Sequence, residues 1–538
     1  MASQNKDSLK NQIRQAFDDD SQVEEMVFKI GSNELTVFYV DSLIDKKLFA
    51  ESVLKPIESL TQNPPSATDL ISFLQSQVIS VSGTSVANNS NEAVTKILSG
   101  SAVLVCGQKA LVCPVYGLQA RGVAEPPTSR VVKGPREGFV EDLPRNLGLI
   151  RKRLKTPNLK IKELCVGRQT KTNVSVVWLD GIAKPEIVSE VEKRISAIDI
   201  DAVIDSYYIE SFLENNHLKF FRRVGNTEKP DVLCAKILEG RVAILVDGSP
   251  IALSVPFMLF EDLQSPQDYY TIPAQASFVR VMRILGLIFA VLMPGVYVAL
   301  ESFNYRILPI NFLITLLSNI EGLSVPPLIE LLIVLFLFEV ITEASLQMPN
   351  SLGMALSIIG ALALGNTAVD AGIISPPSIV VVAISSVALY IIPDQISETR
   401  LLRILFTVVG GIAGLYGILT SFILLTTYLC SIKSFGVPYM TPIAPKIKKD
   451  KHDSFFKESV QDSFNRPEFI AGKNKTRVGE YDTSKFKTEK ELASLNSSKK
   501  AHTQKENTKN KNLQNENSQK PNKKSAKNQP KTRRNYDI

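Results

Sequence analysis

Hydrophobic positions change their spacing twice along the chain. Through residue 275 they come in short strand-like and helical runs. From Ile284 to Cys430 they merge into long apolar blocks, and beyond Lys446 they thin out. The middle blocks are Ile284–Leu300, Leu328–Thr342, Ser351–Ile373, Ile379–Ile392 and Leu401–Cys430. A helix that crosses a bilayer needs roughly 20 predominantly apolar residues, and several of these runs reach that length. They predict an all-α polytopic membrane domain over 276–440. Between the first two runs, Ile310–Glu321 carries Asn311, Thr315, Ser318 and Asn319 on one stripe. That is the pattern of a helix lying in the membrane interface.

The first 275 residues read as globular α/β sequence. From Met26 the order is strand, tight turn, strand, helix: VFKIG and LTVFYV flank Ser32–Glu34, and LIDKKLFAESVLKPIESL follows at helical spacing. Further on, AVTKILSG ends a helix on a glycine, and SAVLVCG and KALVCPVYG form a hairpin across Gly107-Gln108. The same order then returns. KILSGSAVLVCGQKALVCPV (Lys96–Val115) aligns with KILEGRVAILVDGSPIALSV (Lys236–Val255) at a constant offset of 140, and Asp41 and Asp180 follow matching strands. This predicts two related subdomains, 1–130 and 131–275, made by duplication. The cleft between them would serve either as a small-molecule site or as a static joint.

Charge divides the chain again. The net charge is +7, yet from Lys446 to the end there are 24 Lys+Arg against 12 Asp+Glu, so everything before is slightly acidic. The stretch 441–538 is rich in Lys, Asn, Gln and Ser, which predicts a disordered basic tail. Such a tail would serve as a solubilising extension or be drawn to anionic lipid or to nucleic acid. The N-terminus has no apolar stretch behind its charges. Arg280 and Arg283 stand before the first apolar run, and Lys/Arg follow Cys430, so by the positive-inside rule both ends face the cytosol. An even number of crossings follows, about four, with Leu328–Thr342 and Ile379–Ile392 the shortest runs.

Chemistry-bearing motifs are sparse. There are three histidines and no HExxH, and no phosphate loop, nucleophile elbow or supported acid–base pair. The reading is a protein that is not an enzyme and carries no metal or cofactor. Asp199, Asp201 and Asp205 resemble a metal cluster but are read as the exposed start of a helix. Arg151, Lys152 and Arg153 are read as a solvated helix face. Cys106, Cys113, Cys165 and Cys234 sit in apolar runs and are read as buried, reduced thiols. In the apolar blocks, Glu330 and Glu339 (with Glu343 beside them) and Asp370 stand out, because carboxylates at membrane depth face a water-filled path or a partner. Gly353, Ser357, Gly360, Ala363, Thr367 and Asp370 recur at steps of three and four on one helix face. That stripe fits a narrow pore or a close helix–helix seam. Gly410-x-x-x-Gly414 and Ala413-x-x-x-Gly417 read as packing motifs.

Four stretches together carry a resemblance: EPPTSRVVKGPREGFVEDLPRNLGLIRKRLK, EGRVAILVDGSPIALSVP, SFVRVMR with LMPGVYVAL, and TEASLQMPNSLGMALSIIGALALGNTAVDAGIISP. Over about residues 24–445 the chain resembles the A subunit of the GerA-type spore germinant receptors. It departs from the usual pattern at Thr342 and Gln347, where the family commonly has Arg, and at Arg306, where an acidic residue is common. The long basic tail is not a shared feature. The resemblance implies an integral protein of the inner spore membrane, with the N-terminal region and the tail on the cytosolic (core) side. Its partners would be a transporter-like B subunit that recognises the nutrient, a lipoprotein C subunit and the lipid bilayer. Nucleic acid is not among the expected partners. Copies of the A subunit would form a homo-oligomeric ring, a pentamer, around a cation path.

The leading expectation is therefore a nutrient-gated cation path, with pore or gate candidates Glu330, Glu339, Ser357, Gly360, Ala363, Thr367 and Asp370. The alternative is a ligand-binding or scaffold subunit without its own pore. A secondary transporter ranks last, because the membrane half lacks an inverted repeat.

Overall fold

Each half of the N-terminal region contains a long antiparallel hairpin. The computed structural model describes residues 8–18, 20–31, 33–62, 70–117, 133–214, 220–320, 325–347, 358, 360, 368–447, 456, 457, 459 and 465–477. In the first half, β1 (Val23–Ile30) and β2 (Asn33–Val40) pair antiparallel from Val23↔Val40 to Ile30↔Asn33. With β3 (Ser85–Ala87), β4 (Ser101–Cys106) and β5 (Lys109–Pro114) they form a sheet ordered β1-β2-β4-β5-β3. In the second half, β6 (Leu159–Val166), β7 (Thr172–Leu179), β8 (Gly225–Thr227), β9 (Val242–Val246) and β10 (Ala252–Val255) take the order β6-β7-β9-β10-β8. The two orders are the same.

Side chains of a strand alternate between faces, and both faces of each sheet are covered. Leu35, Val37 and Tyr39 of β2 meet Phe49, Val53 and Ile57 of the helical run Lys46–Gln62. Phe38 and Val40 meet Leu9 and Ile13 of α1 (Leu9–Ala16) and Val94 and Ile97 of α2 (Ser90–Ile97). The second sheet repeats this. On one face lie α3 (Leu143–Arg153) and, further along the chain, α6 (Pro230–Leu238); on the other lie α4 (Pro185–Ser196) and α5 (Ser206–Leu213). The helices before β4 and β9 end at Gly100 and Gly240, at φ 84° and 105°. Only glycine takes that backbone readily, which is why it stops both helices.

Two sequence expectations change here. Arg151 of α3 is not on a solvated face. It is fully buried and donates to Asp20 Oδ1 and Oδ2 at 2.6 and 2.5 Å, in the joint between the subdomains. Ser21 N donates to Ile161 O at 3.0 Å in the same joint. The cysteines also differ. Cys113 and Cys234 are buried, and burial pushes both thiols up to about 12. Cys165 is exposed, on the edge strand β6.

The helical region starts with α7 (Pro273–Ser302), α8 (Ile310–Ile320), α9 (Pro327–Gln347), α10 (Pro376–Leu389) and α11 (Ile396–Ser431). By length and composition α7 and α11 can cross a membrane. Ile412, Tyr416, Leu419, Ile423 and Leu424 of α11 stay exposed, an apolar surface suited to lipid. On α8, Ile310, Ile314 and Leu317 are exposed and Leu316 is buried.

Leu401–Cys430 is one unbroken apolar run in the sequence, and α11 folds it in two. A straight helix of 36 residues would be about 54 Å long. Yet Gln395, at its start, donates to Asp262 at 2.9 Å, and Ser434, just past its end, accepts from Phe257 N at 3.0 Å. Both ends therefore meet residues 257–262. Gly414, at φ 62° and ψ −156°, turns the helix back on itself. A Cβ at Gly417 would lie 2.6 Å from Ala413 Cβ and 2.9 Å from Val409 Cγ1, so the two limbs are in contact. The glycines read as packing motifs thus include the reversal.

After α11 the chain returns to the second sheet through β11 (Lys433–Ser434) and β12 (Val437–Pro438). Part of the stretch read as a disordered tail is packed. Lys457 Nζ donates to Asp268 O at 2.6 Å, Gly472 N donates to Ile182 O at 2.6 Å, and Ile470 is fully buried. Apolar residues in PEFIAG give this short piece something to bury, which the tail's average composition hides.

Candidate functional site

The polar groups of the helical region form two clusters. The first joins α9, α10 and α11. Arg403 Nη2 of α11 donates to Glu339 Oε1 at 2.5 Å, and Arg400 lies 3.2 Å from the other carboxylate oxygen. Arg403 Nη1 also donates to Ser386 Oγ of α10 at 3.0 Å. Ser385 Oγ in turn donates to Ala290 O of α7 at 2.8 Å. Arg403 is nearly fully buried. A guanidinium there needs a carboxylate and hydroxyl acceptors, and these three helices supply them.

The second cluster sits at the other end of α9. Glu330 is fully buried, and its Oε1 accepts from Ser375 N and Ser375 Oγ, both at 2.7 Å. Ser375 is the N-cap residue of α10, so a carboxylate holds the free amide of that helix start. The Ser375 and Ser378 hydroxyls are 3.0 Å apart. Tyr297 of α7 packs against the apolar cluster that holds Leu331 of α9 and Ile374, the residue before Ser375, and Glu301 lies one helical turn further along α7.

The other sequence candidates fall as follows. Ser357, Ala363 and Thr367 lie outside the described residues. Gly360 faces α9, where an added Cβ would lie 2.8 Å from Ile341 Cδ1. Asp370 is exposed in the short turn Ala368–Asp370. Glu330 and Glu339 are brought together with neither Asp370 nor each other. Sequence reading passed over Arg403, Ser375, Tyr297 and Glu301. The available signal was Arg403, which stands inside an apolar run, and Glu301 just after one.

A third polar group links the sheets to α7. Arg283 donates to Asp268 Oδ2 and Oδ1 at 2.7 and 2.9 Å, and Arg280, fully buried, donates to Oδ2 at 3.2 Å. Burial works against ionisation of Asp268. The hydrogen bonds and charge of Arg283 outweigh it and hold the carboxyl below the ordinary range. The two arginines expected at the membrane entry are thus joined to one acid.

In the soluble region Asp199 pairs with Arg168 at 2.6 Å, and Asp205 accepts from Tyr207 N at 3.1 Å as the cap of α5. Among the described residues no group of three or more His, Cys, Asp or Glu side chains is placed to hold a metal.

A comparison with known families matches residues 7–469 to the Bacillus/Clostridium GerA spore germination protein family. Spore germination protein KA of Bacillus subtilis (strain 168) is 32% identical over 460 residues, spanning 84% of this chain and 84% of that protein. Spore germination protein GerLA of Bacillus cereus is 30% identical over 461 residues, 85% of this chain and 93% of that one. Among solved structures, the N-terminal domain of the A subunit of the Bacillus megaterium spore germinant receptor GerK3 is 27% identical. It covers 45% of this chain and 91% of that one, at a TM-score of 0.36. With the match running through both sheets and the helical region, the chain belongs to the GerA family of spore germination proteins.

Proposed function

We propose that this chain is the A subunit of a nutrient receptor in the inner spore membrane and forms, as a homo-oligomer, a gated path for monovalent cations. A pentameric ring is the assembly adopted. Its partners in this reading are a transporter-like B subunit and a lipoprotein C subunit. The observation that carries the reading is the Glu339–Arg403 cluster inside apolar helices. A mere anchor has no need of ionisable groups there, whereas a helix set that changes its packing around an ion path does. α7 leaves the second sheet and α11 returns to it, which supports an even number of crossings and a common side for both chain ends. The sheets then act as a collar that passes the state of the partner subunits to the helices.

A second reading has its own observation. Gly360, on the proposed path face, packs against Ile341 of α9. A face that only seals helices together would leave the chain a ligand-binding or scaffold subunit. Monovalent cation flux in response to nutrient separates the two. The test uses cells co-expressing the chain with its partner subunits, with Thr367→Leu and Asp370→Asn at matched membrane levels. The path reading expects lost flux or altered ion selectivity. Unchanged flux and selectivity in both variants would leave the scaffold reading standing.

A further inference from the structure

We propose that the outer face of α5 rests on the bilayer, with its aromatic side chains set among the lipid headgroups. Ser206, Ile209 and Leu213 of this helix are buried. The opposite side leaves Tyr207, Tyr208, Ser211 and Phe212 exposed, with Ile204 exposed just before the helix. From Tyr208 the steps to Ser211 and Phe212 are three and four residues, so these side chains share one helical face. Three aromatic rings and an isoleucine side by side form a contiguous apolar patch, which marks a contact surface. Tyrosine, with an apolar ring and a polar tip, suits the boundary between acyl chains and water.

The position of the face says what covers it. The C-terminal end of α5 is bonded to the stretch that follows α11. Arg194 of α4 donates to Leu213 O at 2.6 Å, and its guanidinium carbon lies 4.5 Å from the centre of the Phe435 ring. Glu214, the residue after α5, accepts from Arg223 N at 2.7 Å, and Arg223 O accepts from Ser434 Oγ at 2.7 Å. Ser434 is three residues past Ser431, the last residue of α11, and so within about 11 Å of it. Phe221 packs with Leu429 of α11, and its ring centre is 6.2 Å from that of Tyr428. Tyr428 and Lys433 are exposed. A tyrosine and a lysine at the end of an apolar helix mark the level of the headgroups. The end of α5 is held at that level, and its open face extends the aromatic belt that Tyr428 begins. Lipid under this face braces the second sheet beside the return of α11.

This inference rests on α11 lying in a membrane and not on a cation path, and its test tells the two failures apart. The full-length wild-type protein is reconstituted into vesicles of phosphatidylcholine and phosphatidylglycerol that carry a phosphatidylcholine with a diazirine high on its acyl chain. After illumination the labelled peptides are located by mass spectrometry. Tyr416 and Leu419, exposed on α11, are the lipid reference, and Tyr116, exposed in the first subdomain, is the aqueous one. Label is expected on α11 and between Ile204 and Phe212, and not at Tyr116. Tyr207→Glu combined with Phe212→Glu should abolish the label on α5 and keep that on α11, with the Trp178 emission of the second sheet as the check on folding. Label on α11 with none on α5 overturns the proposal and sets that face against water or a second copy of the chain. Label that persists on α5 in the double variant also overturns it, since the rings would not make the contact. No label on α11 overturns the membrane reading, and the proposal with it.

Discussion

Arg151 and Asp20 show what a single residue can decide. Their pair is fully buried, and it joins the first subdomain to the second. Removing one partner from such a pair leaves an unmatched charge, at about 3–5 kcal/mol. Asp20→Asn should lower stability by about that much. Trp178 on β7 is the single tryptophan, so denaturant unfolding followed by its emission reads the second sheet. An unchanged midpoint would show that the joint does not depend on the pair. Asp268 makes a prediction about pH. Its folded-state pKa is depressed, so its contribution is fully present above the unfolded value, about 4. It is lost as pH falls from there through the lower folded value. Acid in that window should free the link to Arg280 and Arg283 and raise protease sensitivity between the sheets and α7. The same window should leave Asp268→Asn unaffected.

At the level of elements, the long helices meet where side chains are absent. A Cβ at Gly410 of α11 would collide with the backbone oxygen of Gly295 on α7. Neither backbone can retreat without parting the helices. Gly410→Val should therefore destabilise the bundle by about 1–3 kcal/mol, seen as a lower melting temperature in detergent while the sheets keep their own transition. A melt identical to wild type would mean that the helices do not cross there. Gly414 acts differently, through its backbone. It lets one apolar run turn back, so each limb is about half as long as the run.

For the whole molecule, the described part of the C-terminal stretch ends at Arg477. Its described residues are held by Lys457, Ile470 and Gly472, and by Arg466 Nε, which donates to Leu238 O at 2.7 Å. A chain ending at Arg477 should unfold like the full one. A chain ending at Asp450 should lose about 3 kcal/mol, from one buried isoleucine and a few hydrogen bonds. Membrane insertion, set by α7 to α11, should be the same for both. Equal midpoints for the two truncations, read from Trp178, would refute the docking.

Local pattern determined much of this protein. Alternating apolar positions around Gly31 and Gly107 specified the hairpins, and the 140-residue repeat of KIL-x-G anticipated two sheets of equal order. Periodicity and turn chemistry act over a few residues, so they can be read without a structure. The long apolar runs likewise announced a helical region, since composition alone decides whether a helix suits lipid. Other facts needed the fold. Arg151 was read as solvated because a charge run on an amphipathic helix is usually exposed, and only the neighbouring subdomain supplied Asp20. Glu330 and Glu339 looked alike in one helix, yet Ser375 and Arg403, from distant parts of the chain, gave them different partners. Gly414 looked like a packing glycine until both ends of α11 were seen to meet residues 257–262. Pairing between residues far apart in sequence, and reversal of a chain by one backbone torsion, depend on which surfaces come together. That is information held by the tertiary structure alone.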